Sequence, residues 1–156
     1  MPSDLWRFAQ TLYAQPGVED ACLRLQAGGA DVCLLLCGAW LERRDAGCDA
    51  QRLALLQALA APWQAEVVAP LRRLRQGWRN PAASDPQLKR LREQIKGLEL
   101  EAEQRLLQRL EAATRSWPER GEAVEGESPG AWLEGLAPGV DDEALRVLRA
   151  AALAST

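Results

Sequence analysis

The chain has 156 residues, 47% of them apolar and 26% charged, with a formal net charge of −3. That length fits one domain with a sizeable core, the aliphatic content excludes general disorder, and the small net charge excludes a global drive toward nucleic acid or membrane. Histidine is absent, which removes the usual general base, the Ser-His and Cys-His nucleophile pairs, and most catalytic zinc and carboxylate-bridged di-iron sites.

The opening, Met1 to Arg7, lacks the basic flank and apolar run of a signal peptide. The longest uncharged, mostly apolar stretch, Val32 to Leu41, is about half of a membrane span. The expectation is a cytoplasmic chain with no membrane partner. Cysteines at 22, 33, 37 and 48 are then expected as reduced thiols.

In chain order, Ser3 or Asp4 can cap a first helix to about Ala14, which Pro16-Gly17 breaks. A second helix, Val18 to about Ala27, turns Ala21, Cys22 and Leu25 inward, and Gly28-Gly29 ends it. Asp31 caps a third, to about Arg44. It is apolar nearly all round, so it is expected to be the buried central helix. A strand is the alternative for such a run, but few of its residues are β-branched. Asp49 caps a fourth helix, Ala50 to Ala61. Pro62 starts a fifth, which Pro70 should kink or split. Asn80 to Pro86 is a turn whose last two residues make an N-cap and N1 pair. The sixth helix, about Pro86 to Trp117, is apolar at 88, 91, 95, 98, 102, 106, 110, 113 and 117. That period is about 3.6, the repeat of a straight helix rather than a coiled coil.

The reading is therefore all-α, an irregular helical bundle of five or six helices with a long straight helix near 86–117. The bundle domain covers 1–117 and an acidic Gly/Pro/Ser linker 118–130. A short C-terminal helical segment, 131–156, either docks on the bundle or stays loose, and its apolar surface could instead be buried by a second chain as a homodimer.

The opening runs Leu5-Trp6-x-Phe8-Ala9-x-x-Leu12-Tyr13-x-x-Pro16-Gly17-Val18, then Ala21-Cys22-Leu23-x-Leu25-Gln26, Gly29-x-Asp31-Val32-x-Leu34-Leu35-Leu36 and Trp40-Leu41. Further on come Trp63, Val67-Val68-x-Pro70-Leu71-Arg72, Arg75 and Glu99-Leu100-x-Ala102-Glu103. Over roughly residues 5–113 this resembles a family of small proteobacterial helical proteins with no assigned function. The resemblance implies a bacterial cytosolic helical protein and supplies no activity. That family usually has Asn after Asp-Val; Cys33 stands there in this chain, so any role of the Asn is missing.

The clearest functional clue is a basic run: Arg72, Arg73, Arg75, Arg79, Lys89, Arg90, Arg92 and Lys96, against only Asp85 and Glu93. Arg72, Arg75 and Arg79 form one helical stripe, and Lys89, Arg92 and Lys96 repeat its spacing. An antiparallel hairpin could set the stripes side by side and attract an acidic protein or nucleic acid. The plainer reading is two solvated faces balanced by the acidic stretch that follows. Glu99, Glu101 and Glu103 lack the Glu-x-x-His partner of a bundle di-metal site, and pairing with arginines, such as Glu101 with Arg105, is the better expectation. The cysteines lack metal-ligand spacing and are expected to be core. The Gly28-Gly29-x-Asp31 turn opens a helix, but its aspartate would repel phosphate. A pocket lined by Trp6, Tyr13, Asp31, Trp40 and Trp63 is the second site candidate, although tryptophans on helix stripes more commonly pack a core.

The leading expectation is a binding or adaptor protein using the 72–96 hairpin, rather than an enzyme, with no cofactor and no metal. The alternative is a ligand carrier or enzyme with the tryptophan-lined pocket.

Overall fold

The computed structural model describes residues 4–117, 132–137 and 141–154. Its helices are α1 (Asp4–Tyr13), α2 (Val18–Ala27), α3 (Val32–Arg43), α4 (Ala50–Trp63), α5 (Ala69–Gly77), α6 (Arg79–Ala82), α7 (Pro86–Thr114), α8 (Trp132–Leu136) and α9 (Asp142–Ala154), with a π-helical turn at Gln64–Val68. The fold is all-α, with no strand among the described residues. The linker expected at 118–130 lies outside them.

The core is built around α3. Every residue from Cys33 to Leu41 is buried, as a helix apolar on all sides requires, and α1, α2, α4, α7, α8 and α9 all pack on it. The Asp31 carboxylate starts it, Oδ1 accepting the Leu34 N–H at 3.3 Å. The turn before it is a Schellman motif. Gly29 takes a φ of 95°, and the N–H groups of Gly29 and Ala30 donate back to the carbonyls of Gln26 and Leu25 at 2.9 and 3.0 Å. At Gly38 a Cβ would come within 2.8 Å of Leu136 Cδ1, so the missing side chain is what lets α8 lie close against α3.

The prolines act differently from the sequence expectation. A new helix does not begin at Pro62; α4 runs through it to Trp63. The irregularity falls at the π-helical turn just before Pro70. Pro70 has no N–H to give and its ring crowds the carbonyl four residues back, and one wider turn relieves both.

Two ends of the molecule hold their side chains differently. In α7 the buried residues are Glu99, Ala102, Leu106, Leu107, Leu110 and Thr114, none of them before Glu99 near the middle of the helix. The N-terminal half of α7 pairs with α5, which buries no side chain and, among the described helices, has backbone neighbours only in the π-helical turn, α6 and α7. Residues 69–98 thus form a thin helical arm leaving the body.

The last two helices are fastened to the body. Trp132 is fully buried, donates its indole N–H to the Ala46 carbonyl at 2.8 Å and stacks on Trp117 at 5.6 Å between centroids. The Glu42 carboxylate accepts from the Leu133 N–H at 2.9 Å and from Arg149 Nε and Nη2 at 2.7 and 3.0 Å. One buried acid therefore ties α8 and α9 to α3. The apolar faces of these helices are spent on the chain's own core, which removes most of the surface that suggested a homodimer, although Leu153 is exposed.

Candidate functional site

The arm root is organised by Glu99, a carboxylate only 6% exposed. Arg75 grips it with Nε on Oε1 at 2.5 Å and Nη2 on Oε2 at 3.2 Å, and Arg72 Nε adds a third bond at 3.2 Å. Burial opposes ionisation of Glu99, but the hydrogen bonds and charges of Arg75 and Arg72 outweigh it and hold its pKa below the usual carboxylate range. Arg72 also reaches Glu103 at 3.5 Å. With its oxygen facing the guanidinium, the amide of Gln26 accepts from Arg72 Nη1 at 2.6 Å. Two of the eight expected basic residues are thus turned inward, and the pairing expected for the Glu99–Glu103 acids is what they meet. Glu101 and Arg105 also pair, at 3.6 Å.

Farther out, the hairpin brings the two stripes together. Arg75, Arg79, Arg92 and Lys96, with Gln76, line one groove of about 660 Å³ that has no acid in its wall. Arg92 is positioned by its Nε–H, which donates to the Arg75 carbonyl at 2.8 Å. Lys96 makes an exposed pair with Glu93 at 3.4 Å. Arg73, Lys89 and Arg90 are exposed and lie outside the groove wall. On the same two helices Leu74, Leu91 and Leu98 have 42%, 50% and 50% of their surface in water.

On the body side of Glu99 lies a cleft of about 680 Å³ between α1, α2, α3 and α7, closed at the arm root by the π-helical turn and α5. Trp6, Tyr13, Val32, Leu36 and Leu107 make much of its apolar wall, and Asp31, Gln64, Arg72, Arg75, Glu99 and Glu103 gather in its polar part. The Oδ2 of Asp31 and the Oε1 of Gln64 are buried and have no hydrogen-bond partner among the described residues. Loss of hydration raises the pKa of Asp31, against the bonds from the Leu34 and Cys33 N–H groups and the Arg72 charge. Burial, then the Glu99 charge, raises that of Glu103. Burial likewise raises Tyr13.

Of the five residues expected in a pocket, Trp6, Tyr13 and Asp31 come together here. Trp40 and Trp63 do not. Trp40 is buried in the core with the Arg44 guanidinium 4.3 Å from its ring centroid. Trp63 donates its N–H to the Ala102 carbonyl at 2.9 Å beneath Arg109. Each ring sits on a helix flank that the rotation of α3 or α4 turns away from the cleft, which spacing alone does not reveal. Gln26 and Gln64 are cleft residues that the sequence reading did not single out, and Glu103 was weighed there only as a metal ligand or an arginine partner; polar residues interrupting apolar helix faces were the available signal.

All four cysteines are buried, and Cys22, Cys33 and Cys37 are free thiols. Burial pushes the Cys22 thiol up to about 11 and also raises Cys33 and Cys37 well above the ordinary thiol value, so these three behave as small apolar groups rather than thiolates. Cys33, where the related pattern has Asn, lies in the cleft wall with its thiol 4.0 Å from the Glu103 carbonyl.

A family model described as a protein of unknown function, DUF2390, matches residues 4–110, and the chain belongs to that family. No curated protein and no solved structure matches the chain. The matched span takes in the body, the cleft and the whole arm, and ends before α8.

Proposed function

We propose that this member of the DUF2390 family is a binding or adaptor protein that engages an acidic segment of another protein through its helical arm. The observation that carries this reading is the acid-free groove shared by Arg79, Arg92 and Lys96, in an arm whose α5 buries no side chain. Cations held close together at a surface raise the local concentration of an anionic partner and select against cationic ones. Exposed leucines on the same helices, Leu74, Leu91 and Leu98, favour an acidic amphipathic peptide over a bare phosphate backbone, since apolar contact rewards only a partner with apolar side chains.

The test is affinity purification from the native host at low salt, with and without nuclease, using the wild-type chain and an Arg79→Glu, Lys96→Glu variant. Arg75 is left intact because it holds Glu99. The expected result is a protein of acidic character that survives nuclease, leaves at moderate salt, and is missing from the variant preparation. A companion retained by the folded variant overturns the reading, and a nuclease-sensitive one replaces the protein partner with nucleic acid.

A further inference from the structure

The cleft on the body side is a separate feature, and the adaptor reading makes no use of it. Its volume of about 680 Å³ lies within the usual range for small-molecule sites, which combine an apolar wall with a few placed polar groups. The question is which charge its occupant carries.

Two arginines in the wall invite an anion, but they are already committed. Three hydrogen bonds from Arg72 and Arg75 converge on Glu99, and Arg72 is further engaged by Gln26 and Glu103. An incoming anion would have to displace a buried carboxylate. The acids are less well matched. Among the described residues, Glu19, Asp31, Glu99 and Glu103 line the cleft against those two arginines. Asp31 has one oxygen without a partner and Glu103 has a single cation at 3.5 Å. Both carboxyls are held in a low-polarity setting that penalises their charge. Asp31 already serves as a helix cap through its other oxygen, a task that Asn performs as well. Helix capping therefore does not account for a charged residue here. The wall also offers the aromatic rings of Trp6 and Tyr13, surfaces that attract cations and apolar groups alike.

We infer that the cleft binds a small organic amine, its ammonium group set against Asp31 and Glu103 and its apolar body against Trp6, Tyr13 and Leu36. Hydrogen-bond donors on such a group supply what the Asp31 Oδ2 lacks, and its charge offsets the excess of acid. A neutral or anionic molecule of the same shape fills the apolar wall and leaves the carboxylates unmatched.

The experiment is calorimetric titration and thermal shift of the full chain with probes of similar shape and different charge: 2-phenylethylamine and tryptamine as cations, 2-phenylethanol as the neutral form, 3-phenylpropanoate as the anion. The expected result is that the amines bind at least tenfold more tightly than the alcohol, the anion binds least, and Asp31→Asn and Glu103→Gln each weaken the amines at least tenfold with the alcohol unchanged. The two variants are chosen because neither leaves a buried charge, and each is checked for an unchanged helical spectrum. Equal binding of amine and alcohol, preference for the anion, no binding of any probe at 10 mM, or full amine affinity in both folded variants overturns the inference. Failure of the Arg79→Glu, Lys96→Glu test leaves this result untouched, since those residues lie outside the cleft.

Discussion

The two halves of α7 carry the same apolar repeat and live in different surroundings. From Ala102 onward the stripe is sealed between α1, α3 and α4, and Leu106 and Leu110 are fully buried. Before Glu99 the same spacing covers only one side of α5, and Leu91 and Leu98 remain half in water. Helical periodicity sets which face of a helix is apolar; it does not set how many neighbours that face will find. The body is stabilised by burial and the arm mainly by one shared seam. An element with so little buried surface is free to present its side chains to something else.

The sharpest break between the halves comes from truncating equivalent leucines. Leu106→Ala leaves a cavity in the body and should cost about 3 kcal/mol. Leu91→Ala, on the same helix, should cost below about 1 kcal/mol because half of the side chain is already solvated. Urea denaturation of both variants checks the contrast. Comparable losses would mean that the arm is as tightly covered as the body.

Glu99 stands at the boundary and should give the next largest effect. Glu99→Ala strands Arg72 and Arg75 at the arm root and should cost about 2 kcal/mol, less than a fully buried pair because both arginines keep some contact with water. Its folded pKa is depressed, so its contribution is present above the unfolded carboxylate value of about 4.3 and is lost as pH falls through the lower folded value. Amide exchange should speed up in 69–98 first and leave α3 protected. Uniform acceleration would show that arm and body unfold as one.

How much of this the sequence reveals follows the same division. The caps at Asp31, Asp49 and Asp85 and the buried α3 are legible because each depends on residues within a few positions. The hairpin stripes are legible too, since α5 and α7 are nearly adjacent in the chain. The inward turn of Arg72 and Arg75 is not, because it depends on the depth at which Glu99 enters the body. The cleft is less legible still. Trp6, Asp31, Gln64 and Glu103 come from four separate elements, and helix spacing grouped Trp40 and Trp63 with them although the packing of α3 and α4 points both rings elsewhere. Gly38 is readable only in hindsight, once Leu136 is known to press on it.

Asp31 sharpens the comparison from the body side. Burial raises its folded pKa, so the folded chain binds this proton more tightly than the unfolded one. The group therefore adds stability as pH falls from its folded value toward its unfolded one, and that gain is lost again as pH rises, the opposite sign to Glu99. Asp31→Asn keeps the cap and removes the charge, so it should be neutral or stabilising by up to about 1 kcal/mol at pH 7 and should flatten the stability profile over the range above the unfolded aspartate value. Thermal melts across that range decide it. A large loss of stability in Asp31→Asn would mean that the charge is used structurally, against the ligand reading of the cleft.

The smallest expected effect tests the arm itself. Arg79 is exposed, and Lys96 makes only an exposed pair with Glu93, a contact worth little in water. Reversing both charges should therefore change stability by no more than about 0.5 kcal/mol, and relief of repulsion within the groove could make the change favourable. Such a result would place these cations outside the folding requirement, leaving interaction as their use. A loss of several kcal/mol would instead mean that the arm depends on its cations for its own structure. The division between a body that holds the fold and an arm that meets a partner would then fail at its most exposed point.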